Sequence, residues 1–595
     1  MKGSTVAEDI RKVGVVGCGT MGSGISEIVA RKGMDVVFVE VDDAAVDAGR
    51  DRIAYSLQRL VDRGKLDPAE REEILSRITG STKYAALSDV DLVIEAVPED
   101  LELKQQVMAR VDEHLPGDTI IATNTSSLPV LDIAVRTRHP NHVLGFHFFN
   151  PAPVMRLIEL VRTPVTDGSI LSRAREFALR IGKTPVVVGD RAGFIANQLL
   201  FPYLNQAIGM VASGYATKED VDSAMRLGAG HPMGPIALAD LIGIDTMLGI
   251  TEAIWSHFRE TRFSPQPILR QLTSAGFHGR KTGRGFYQYE EPGAPRIVDA
   301  SARREPADGE AIADWSSIGV VGTGTMAIGV AQVFAQAGYR TVIRGRGRHK
   351  AEAVVAAISK GLQRLVDKGR ISEQDRVDIL GRLEPTGEYG DLADCDLVLE
   401  AVAEDLEVKR GVFAEVEAVA KDRVVLATTT SSLPVIDCAM ATRRPERVVG
   451  LHFFNPAAVM KLVEVVPTVR SETAVVEQAR AVVERCGKVG VLCQDRAGFI
   501  VNALLFPYLN DAVNLLASHY ATVEQIDTAM KLGTAHPMGP FELIDIVGLD
   551  VTLAIIERLH AEFRQPSLAP APLLRHMVEA GFLGRKAGRG FYVYR

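Results

Sequence analysis

A chain of 595 residues, 47% hydrophobic and 24% charged, is too long for one core and has ordinary globular composition, so several folded domains are expected and a disordered chain is excluded. The formal net charge of -8 argues against nucleic acid or an anionic membrane surface as the main partner, since either needs a basic footprint. There is no run of about 18 apolar residues, and MKGSTVAEDIRKV at the N-terminus carries acids where a signal peptide needs an apolar stretch, so a cytoplasmic protein without a membrane segment is expected.

The first apolar run, KVGVVG at 12–17, ends in glycine and passes into a helical stretch from Met21 to Lys32. DVVFVE at 35–40, DLVIEAV at 91–97, TIIATN at 119–124 and HVLGFHF at 142–148 follow, and short Val/Ile-rich runs alternating with helical stretches predict a parallel α/β sheet. From Asp190 onward the pattern changes. GFIANQLLFPYLNQAIGMVASG at 193–214 and PIALADLIGIDTMLGITEAIWSHF at 235–258 are long apolar-periodic segments that predict packed helices. EEPGAPRIVDASARREPADGEAIAD at 290–314 has no apolar period and reads as an exposed linker.

Beyond the linker the chain repeats itself. GVVGCGTMGSG at 14–24 recurs as GVVGTGTMAIG at 319–329, FHFFNPAPVMRLIE at 146–159 as LHFFNPAAVMKLVE at 451–464, and DRAGFIANQLLFPYLN at 190–205 as DRAGFIVNALLFPYLN at 495–510. Every pair is separated by 305 residues, so the two copies align without a gap. The expected fold is α/β plus all-α: a Rossmann-like dinucleotide-binding domain followed by a helical domain, the pair duplicated in tandem. The expected boundaries are 1–189 and 190–289 for the first pair, 290–314 for the linker, and 315–494 and 495–595 for the second pair. The five cysteines are odd in number and lack C-x-x-C spacing, which predicts core thiols and neither a disulfide framework nor a metal site.

Gly17, Gly19 and Gly22 form a G-x-G-x-x-G motif opening a helix directly after a strand, which predicts dinucleotide binding. Glycine permits the sharp turn and the close approach of a pyrophosphate, the helix N-terminus faces the phosphates, and Glu40 closes the second strand to bond the adenosine ribose. The second copy has Gly322 and Gly324, but Ala327 replaces the third glycine and Gly345 stands where the first copy has Glu40. Arg344, Arg346 and Arg348 surround that glycine, and guanidinium groups beside a missing acid predict a shift toward NADP, with a solvated basic loop and retained NAD use as alternatives.

Of thirteen histidines only two pairs recur at the offset, His147 with His452 and His231 with His536. His231 lies in HPMGP beside proline, where a structural or capping role is expected. His147 ends a sheet strand just before the domain change, where a Rossmann active site opens, and on position alone a general base and a satisfied core histidine are equal readings. Glu159 and Glu464 recur twelve residues after their histidines in apolar runs, where an acid needs a reason to be; a carboxylate on one imidazole nitrogen fixes the tautomer and supports a proton taken by the other. Ser126 and Ser431 in TSSLP, and Asn197 and Asn502 at the start of the helical domain, are candidate donors to a substrate oxygen, each with an alternative reading as a cap or turn residue.

GxGTMG, EAVPEDLELK, NTSSLP, HFFNPAPVM, DRAGFIANQLL, LGAGHPMGP and GRKTGRGFY occur in this order, and with them both copies resemble the 3-hydroxyacyl-CoA dehydrogenase family, the bacterial 3-hydroxybutyryl-CoA dehydrogenase type in particular. The resemblance implies reversible, (S)-specific oxidation of a short-chain 3-hydroxyacyl-CoA by a nicotinamide cofactor. It implies His147 as general base, Glu159 as its orienting partner, Ser126 as donor to the 3-oxygen, Asn197 as a further substrate contact, and Glu99 and Lys104 beside the nicotinamide. The second copy offers His452, Glu464, Ser431, Asn502, Glu404 and Lys409, and departs from the pattern at Thr429, where the first copy has Asn124. NAD is the expected cofactor of the first copy, and NADP or NAD of the second. Arg59, Arg63 and Lys65 could meet coenzyme A phosphates or simply belong to a solvated helix face.

Members of this family resemble one another in dimerising through the helical domain, so an intrachain pseudo-dimer is expected, with LLFPYLNQAIGMV and LLFPYLNDAVNLL as the contact. Two alternatives share parts of the pattern: a related dehydrogenase of a carrier-bound or free 3-hydroxy acid, and one catalytic copy joined to a non-catalytic cofactor-binding copy.

Overall fold

The computed structural model describes residues 10–298 and 314–594. The first sheet contains β1 (Lys12–Val16), β2 (Asp35–Val39), β3 (Ile78–Ser81), β4 (Leu92–Glu95), β5 (Ile120–Thr123), β6 (Val143–Phe148), β7 (Leu157–Arg162) and β8 (Thr184–Gly189), in the order β3-β2-β1-β4-β5-β6-β7-β8. The second sheet repeats the order with β9 (Ser317–Val321), β10 (Arg340–Arg344), β11 (Leu383–Thr386), β12 (Leu397–Glu400), β13 (Val425–Thr428), β14 (Val448–Phe453), β15 (Leu462–Pro467) and β16 (Val489–Leu492). The valine-rich runs are buried because helices cover both faces of each sheet.

The strands named from the sequence pair in parallel, but each sheet is mixed: β7, which the sequence reading did not name, runs antiparallel to β6, and β15 to β14. The loop 149–156 is too short for a parallel crossover, which needs about a dozen residues or more, so the chain turns back beside the strand it has just left. β1 lies between β2 and β4, so successive connections leave it in opposite directions and open a crevice at the carboxyl ends of the strands. Gly17 follows β1 into that crevice, and the residues after Glu95 of β4 form its other wall.

After each sheet come the predicted helices, beginning with Ala196–Ala212 in the first copy and Val501–Ala517 in the second. Residues 290–298 fold back on the first helical unit, with Glu290 N–H donating to Arg296 O at 3.0 Å and Val298 N–H to Gln288 O at 2.8 Å; residues 299–313 lie outside the described residues. Of the five thiols, four are buried and Cys486 is half-buried.

Helices Ala196–Ala212 and Val501–Ala517 lie against each other, and Gln206 Nε2 donates to Ala503 O at 2.9 Å. His231 and His536 stack face to face between the copies, with ring centroids 4.1 Å apart. The Tyr203 and Tyr508 hydroxyls approach the Nδ1 atoms of His231 and His536 at 3.1 and 3.4 Å, an arrangement that fits the structural role expected of the HPMGP histidines, although their stacking on each other was not legible in the sequence. Arg262 and Asp511 form an ion pair across the same contact.

Burial holds the His231 imidazole down at about 4, and burial with the neighbouring imidazole likewise holds His536 well below the ordinary histidine value. A histidine whose folded pKa lies below its unfolded value of about 6.5 resists protonation in the fold; its contribution is complete above pH 6.5 and is lost as pH falls toward 4. The stability of the native chain relative to a His231→Gln variant is therefore expected to decline across that window, by at most about 3 kcal/mol. Urea unfolding of both proteins at pH 7 and pH 4.5 measures it, and a pH-independent difference would contradict the assignment.

Candidate active site

His147 is the penultimate residue of β6 and Glu159 sits in β7, and the antiparallel register places them directly opposite each other. Their twelve-residue separation is the length of a strand return. His147 Nδ1 lies 2.7 Å from Glu159 Oε2, with His147 5% exposed and Glu159 fully buried. Because a carboxylate only accepts, Nδ1 carries the proton of this bond and Nε2 is left as the free position. The other oxygen, Glu159 Oε1, accepts the Ile195 and Ala196 amides at 3.1 and 3.0 Å. Those amides begin helix Ala196–Ala212, where unpaired N–H groups favour an anion. Gly193 and Phe194 in left-handed conformations (φ 78° and 51°) turn them inward, and the Phe194 and Phe149 rings flank the imidazole at 5.5 and 4.5 Å.

The TSSLP turn follows β5, the strand beside β6, so Ser126 emerges at the same edge of the sheet as His147. Asn124 Oδ1 ties the two strands by accepting the Phe148 amide at 2.9 Å. Glu99 Oε1 collects the Ser126 and Ser127 amides at 2.9 and 3.0 Å and the Thr125 hydroxyl at 2.7 Å; the Ser126 hydroxyl is only loosely held, at 3.4 Å. Asn197 Nδ2 donates to Ser126 O at 2.9 Å, fastening this turn to the helical unit. The structure thus brings Ser126, Asn197 and Glu99 into one connected group beside the His147–Glu159 pair.

Lys104 is almost fully buried, 2.8 Å from Glu95 Oε1 and 3.4 Å from Glu99 Oε2. Burial pushes the Glu99 carboxyl up, but the Lys104 charge and the bonds from Thr125, Ser126 and Ser127 outweigh it and hold the group below its ordinary value. Glu95, which completes this arrangement by accepting the Thr123 hydroxyl at 2.6 Å and the Val97 amide at 2.7 Å, was missed from the sequence. So was Lys183, whose ammonium donates to the carbonyls of Ala152 and Met155 and so clamps the loop after His147; burial, with Arg31 nearby, lowers it to about 8. Both recur, as Glu400 and Lys488, so the 305-residue comparison extended beyond histidines would have found them.

The residues after β1 fit a dinucleotide. Gly17 has φ 88°, and a Cβ there would stand 2.8 Å from Ala96 O; a Cβ on Gly22 would stand 1.8 Å from Gly17 O. Gly19 faces open space at the start of helix Thr20–Ala30, which no side chain caps, so its first N–H groups are available to a phosphate. Glu40 stands at the end of β2, its Oε1 fixed by the Cys18 amide at 2.6 Å. Arg59, Arg63 and Lys65 are exposed.

In the second copy His452 Nδ1 lies 2.6 Å from Glu464 Oε2, and Glu464 Oε1 accepts the Ile500 and Val501 amides at 3.0 and 2.9 Å. Lys409 pairs with Glu400 at 2.8 Å and Glu404 at 3.3 Å, and the Ser431 amide donates to Glu404 at 2.9 Å. Asn502 Nδ2 reaches Ser431 O at a longer 3.4 Å. The glycine turn differs in shape. Ala327 carries a methyl where Gly22 leaves room for Gly17 O, and Gly322 has swung to φ 141°, against 88° at Gly17; Gly324, like Gly19, faces open space. Arg344 lies over the Tyr389 ring at 3.7 Å and Arg348 Nε bonds Glu352 at 3.1 Å, while Arg346 is exposed.

The model of the 3-hydroxyacyl-CoA dehydrogenase NAD-binding domain matches residues 12–191 and again 317–496, and that of the 3-hydroxyacyl-CoA dehydrogenase C-terminal domain matches 193–289 and 498–594. A 3-hydroxybutyryl-CoA dehydrogenase of Mycobacterium tuberculosis is 47% identical over 286 residues, covering 48% of this chain and 100% of that protein. One of Clostridioides difficile is 42% identical over 280 residues, covering 47% of this chain and 100% of that protein. A solved structure of 3-hydroxybutyryl-CoA dehydrogenase from Escherichia coli K12 is 27% identical with a TM-score of 0.68, and the match covers 96% of this chain and 99% of that one. The chain therefore belongs to the 3-hydroxyacyl-CoA dehydrogenase family and carries its NAD-binding and C-terminal domains twice over.

Proposed function

We propose that each copy catalyses the reversible oxidation of an (S)-3-hydroxyacyl-CoA, of short chain in the manner of 3-hydroxybutyryl-CoA, to the 3-oxoacyl-CoA. The observation that carries this is the buried His–Glu pair, formed twice with the same partners on both carboxylate oxygens. A bound nicotinamide supplies the hydride-accepting ring. His147 takes the 3-hydroxyl proton on Nε2, and Glu159 holds the ring in the required tautomer and supports the charge it gains. The Ser126 hydroxyl donates to the 3-oxygen, Asn197 contacts the substrate, and Glu99 and Lys104 shape the nicotinamide end; His452, Glu464, Ser431, Asn502, Glu404 and Lys409 do the same in the second copy. The test is a panel of (S)- and (R)-3-hydroxyacyl-CoAs of increasing length, assayed with NAD and NADP. Oxidation of free 3-hydroxy acids in preference to the thioesters would overturn the reading.

The domain boundaries proposed are those read from the sequence, with the first helical unit extended to 298. The two helical units form an intrachain pseudo-dimer, a reading supported by the His231–His536 stack, the Gln206–Ala503 bond and the Arg262–Asp511 pair. Separately produced halves that stayed apart on mixing would count against it. Among the described residues no helix is long and apolar enough to cross a membrane, and the proposed setting of the reaction is the cytoplasm.

The copies are proposed to differ in cofactor. Glu40 bonds the adenosine ribose in the first copy and repels a 2′-phosphate, so NAD is preferred there. The second copy lacks that acid, and Arg346 is the arginine best placed to meet a 2′-phosphate, since Arg344 is engaged with Tyr389 and Arg348 with Glu352. Residues 315–595 are expected to bind NADPH more tightly than NADH in a fluorescence titration, and Arg346→Ala to remove about 1–3 kcal/mol of that preference. Restoring the acid is a poor test, because a Cβ on Gly345 would stand 2.9 Å from Ala351 N. Tighter NADH binding would overturn the proposal. Failure to bind either cofactor would favour the reading of a single catalytic copy, to which the altered Gly322 turn and Thr429 also point.

A further inference from the structure

Each His–Glu pair is braced by the opposite copy. Helix Val523–Gly533 of the second copy lies along β7 and β8 of the first. Gln525 Nε2 donates to Val187 O at 2.9 Å, the Tyr520 hydroxyl donates to Gly189 O at 2.7 Å, and the Arg191 guanidinium covers the Tyr520 ring at 4.6 Å. Its last residue, Gly533, reaches the residues around His147. A Cβ on Gly533 would stand 2.9 Å from Leu157 Cδ2 and 3.1 Å from Phe149 Cε1. Phe149 is the ring whose centroid lies 4.5 Å from that of His147, and Leu157 is on the strand that carries Glu159.

The reverse contact exists too. Helix Lys218–Gly228 lies along β15 and β16, the Tyr215 hydroxyl donates to Gln494 O at 2.9 Å, and Arg496 covers Tyr215 at 4.9 Å. A Cβ on Gly228 would stand 2.8 Å from both Leu462 Cδ2 and Val501 Cγ2, and Val501 is the residue whose amide holds Glu464. Neither glycine has a positive φ, so the backbone does not demand glycine; the close approach of the other copy does.

We propose that Gly533 and Gly228 are crossed positioning residues: Gly533 of the second copy sets the His147 ring through Phe149, and Gly228 of the first sets the Glu464 anchor through Val501. The inference rests on the reading of these pairs as the catalytic ones. A side chain at either glycine displaces the facing residue by tenths of an ångström, and misplacing a general base by such distances lowers turnover while leaving substrate binding largely intact.

The experiment uses full-length protein in two single-site backgrounds, His452→Ala for the first site and His147→Ala for the second. Gly533→Val is expected to lower kcat of the first site by about ten- to a hundredfold, with KM changed less and the pH profile altered, and to leave the second site within about twofold. Gly228→Val is expected to do the reverse, and Gly533→Ala and Gly228→Ala give smaller effects in the same crossed pattern should a valine prevent folding. Equal loss at both sites, loss confined to the copy that carries the substitution, or no loss would overturn the proposal. Undiminished activity in the His147→Ala/His452→Ala protein would instead remove the catalytic reading on which it rests.

Discussion

Replacing both histidines, His147→Ala together with His452→Ala, is expected to lower kcat by about a hundredfold to ten-thousandfold, the usual contribution of a positioned general base. Either single replacement should leave the turnover of the other site. The expectation rests on geometry that leaves one imidazole nitrogen unengaged: Nδ1 is committed to a fully buried carboxylate, and that carboxylate is committed through its second oxygen to two backbone amides. What remains available is Nε2. Glu159→Gln should lower turnover as well, because an amide can present either a donor or an acceptor to Nδ1 and no longer dictates the tautomer. Steady-state oxidation of 3-hydroxybutyryl-CoA by the two single variants and the double variant decides the matter, with circular dichroism to confirm folding. Complete loss from one single variant in a folded protein would show that one copy alone works, or that the two turn over only together.

The largest effect on stability is expected at Lys104. Its side chain and that of Glu95 are 2% and 0% exposed, so Lys104→Met leaves a carboxylate buried with only the Thr123 hydroxyl and the Val97 amide as partners. Breaking a buried pair from one side costs about 3–5 kcal/mol, against about 1 kcal/mol or less for an exposed pair such as Lys12 with Asp89. Adding Glu95→Gln should recover much of the loss, because it removes the stranded charge. Lys104 also holds Glu99 ionised against its burial. A carboxylate whose folded pKa is depressed stabilises the fold above its unfolded value of about 4.3 and loses that contribution as pH falls through the folded pKa. The gap between the native chain and Lys104→Met is therefore expected to be wider at pH 7 than at pH 3.5. Hydrogen exchange of the first sheet, which isolates this unit from the rest of the chain, measures both effects; a loss below about 1 kcal/mol at pH 7 would contradict the buried-pair account.

The sequence by itself determined the duplication, the order of a sheet unit and a helical unit in each copy, the glycine turn and the acid at Glu40, because these are local patterns of spacing and residue type. It also singled out His147 and Glu159, since an acid in an apolar strand recurring at a fixed distance from a recurring histidine asks for an explanation. It did not reveal that the eleven residues between them are a strand return that puts the pair face to face, because strand pairing depends on which segments meet and leaves no period in the chain. The antiparallel place of β7, the Glu95–Lys104 pair and the side chain of Arg344 lying on Tyr389 are hidden for the same reason. Least legible were the contacts between copies. Arg191 meets Tyr520, and Gly533 meets Phe149, across several hundred residues, and only the packing of one copy's helix along the other's sheet brings them together. Tertiary structure decides such approaches because they are set by the fit of two finished surfaces, whereas the sequence specifies each surface separately.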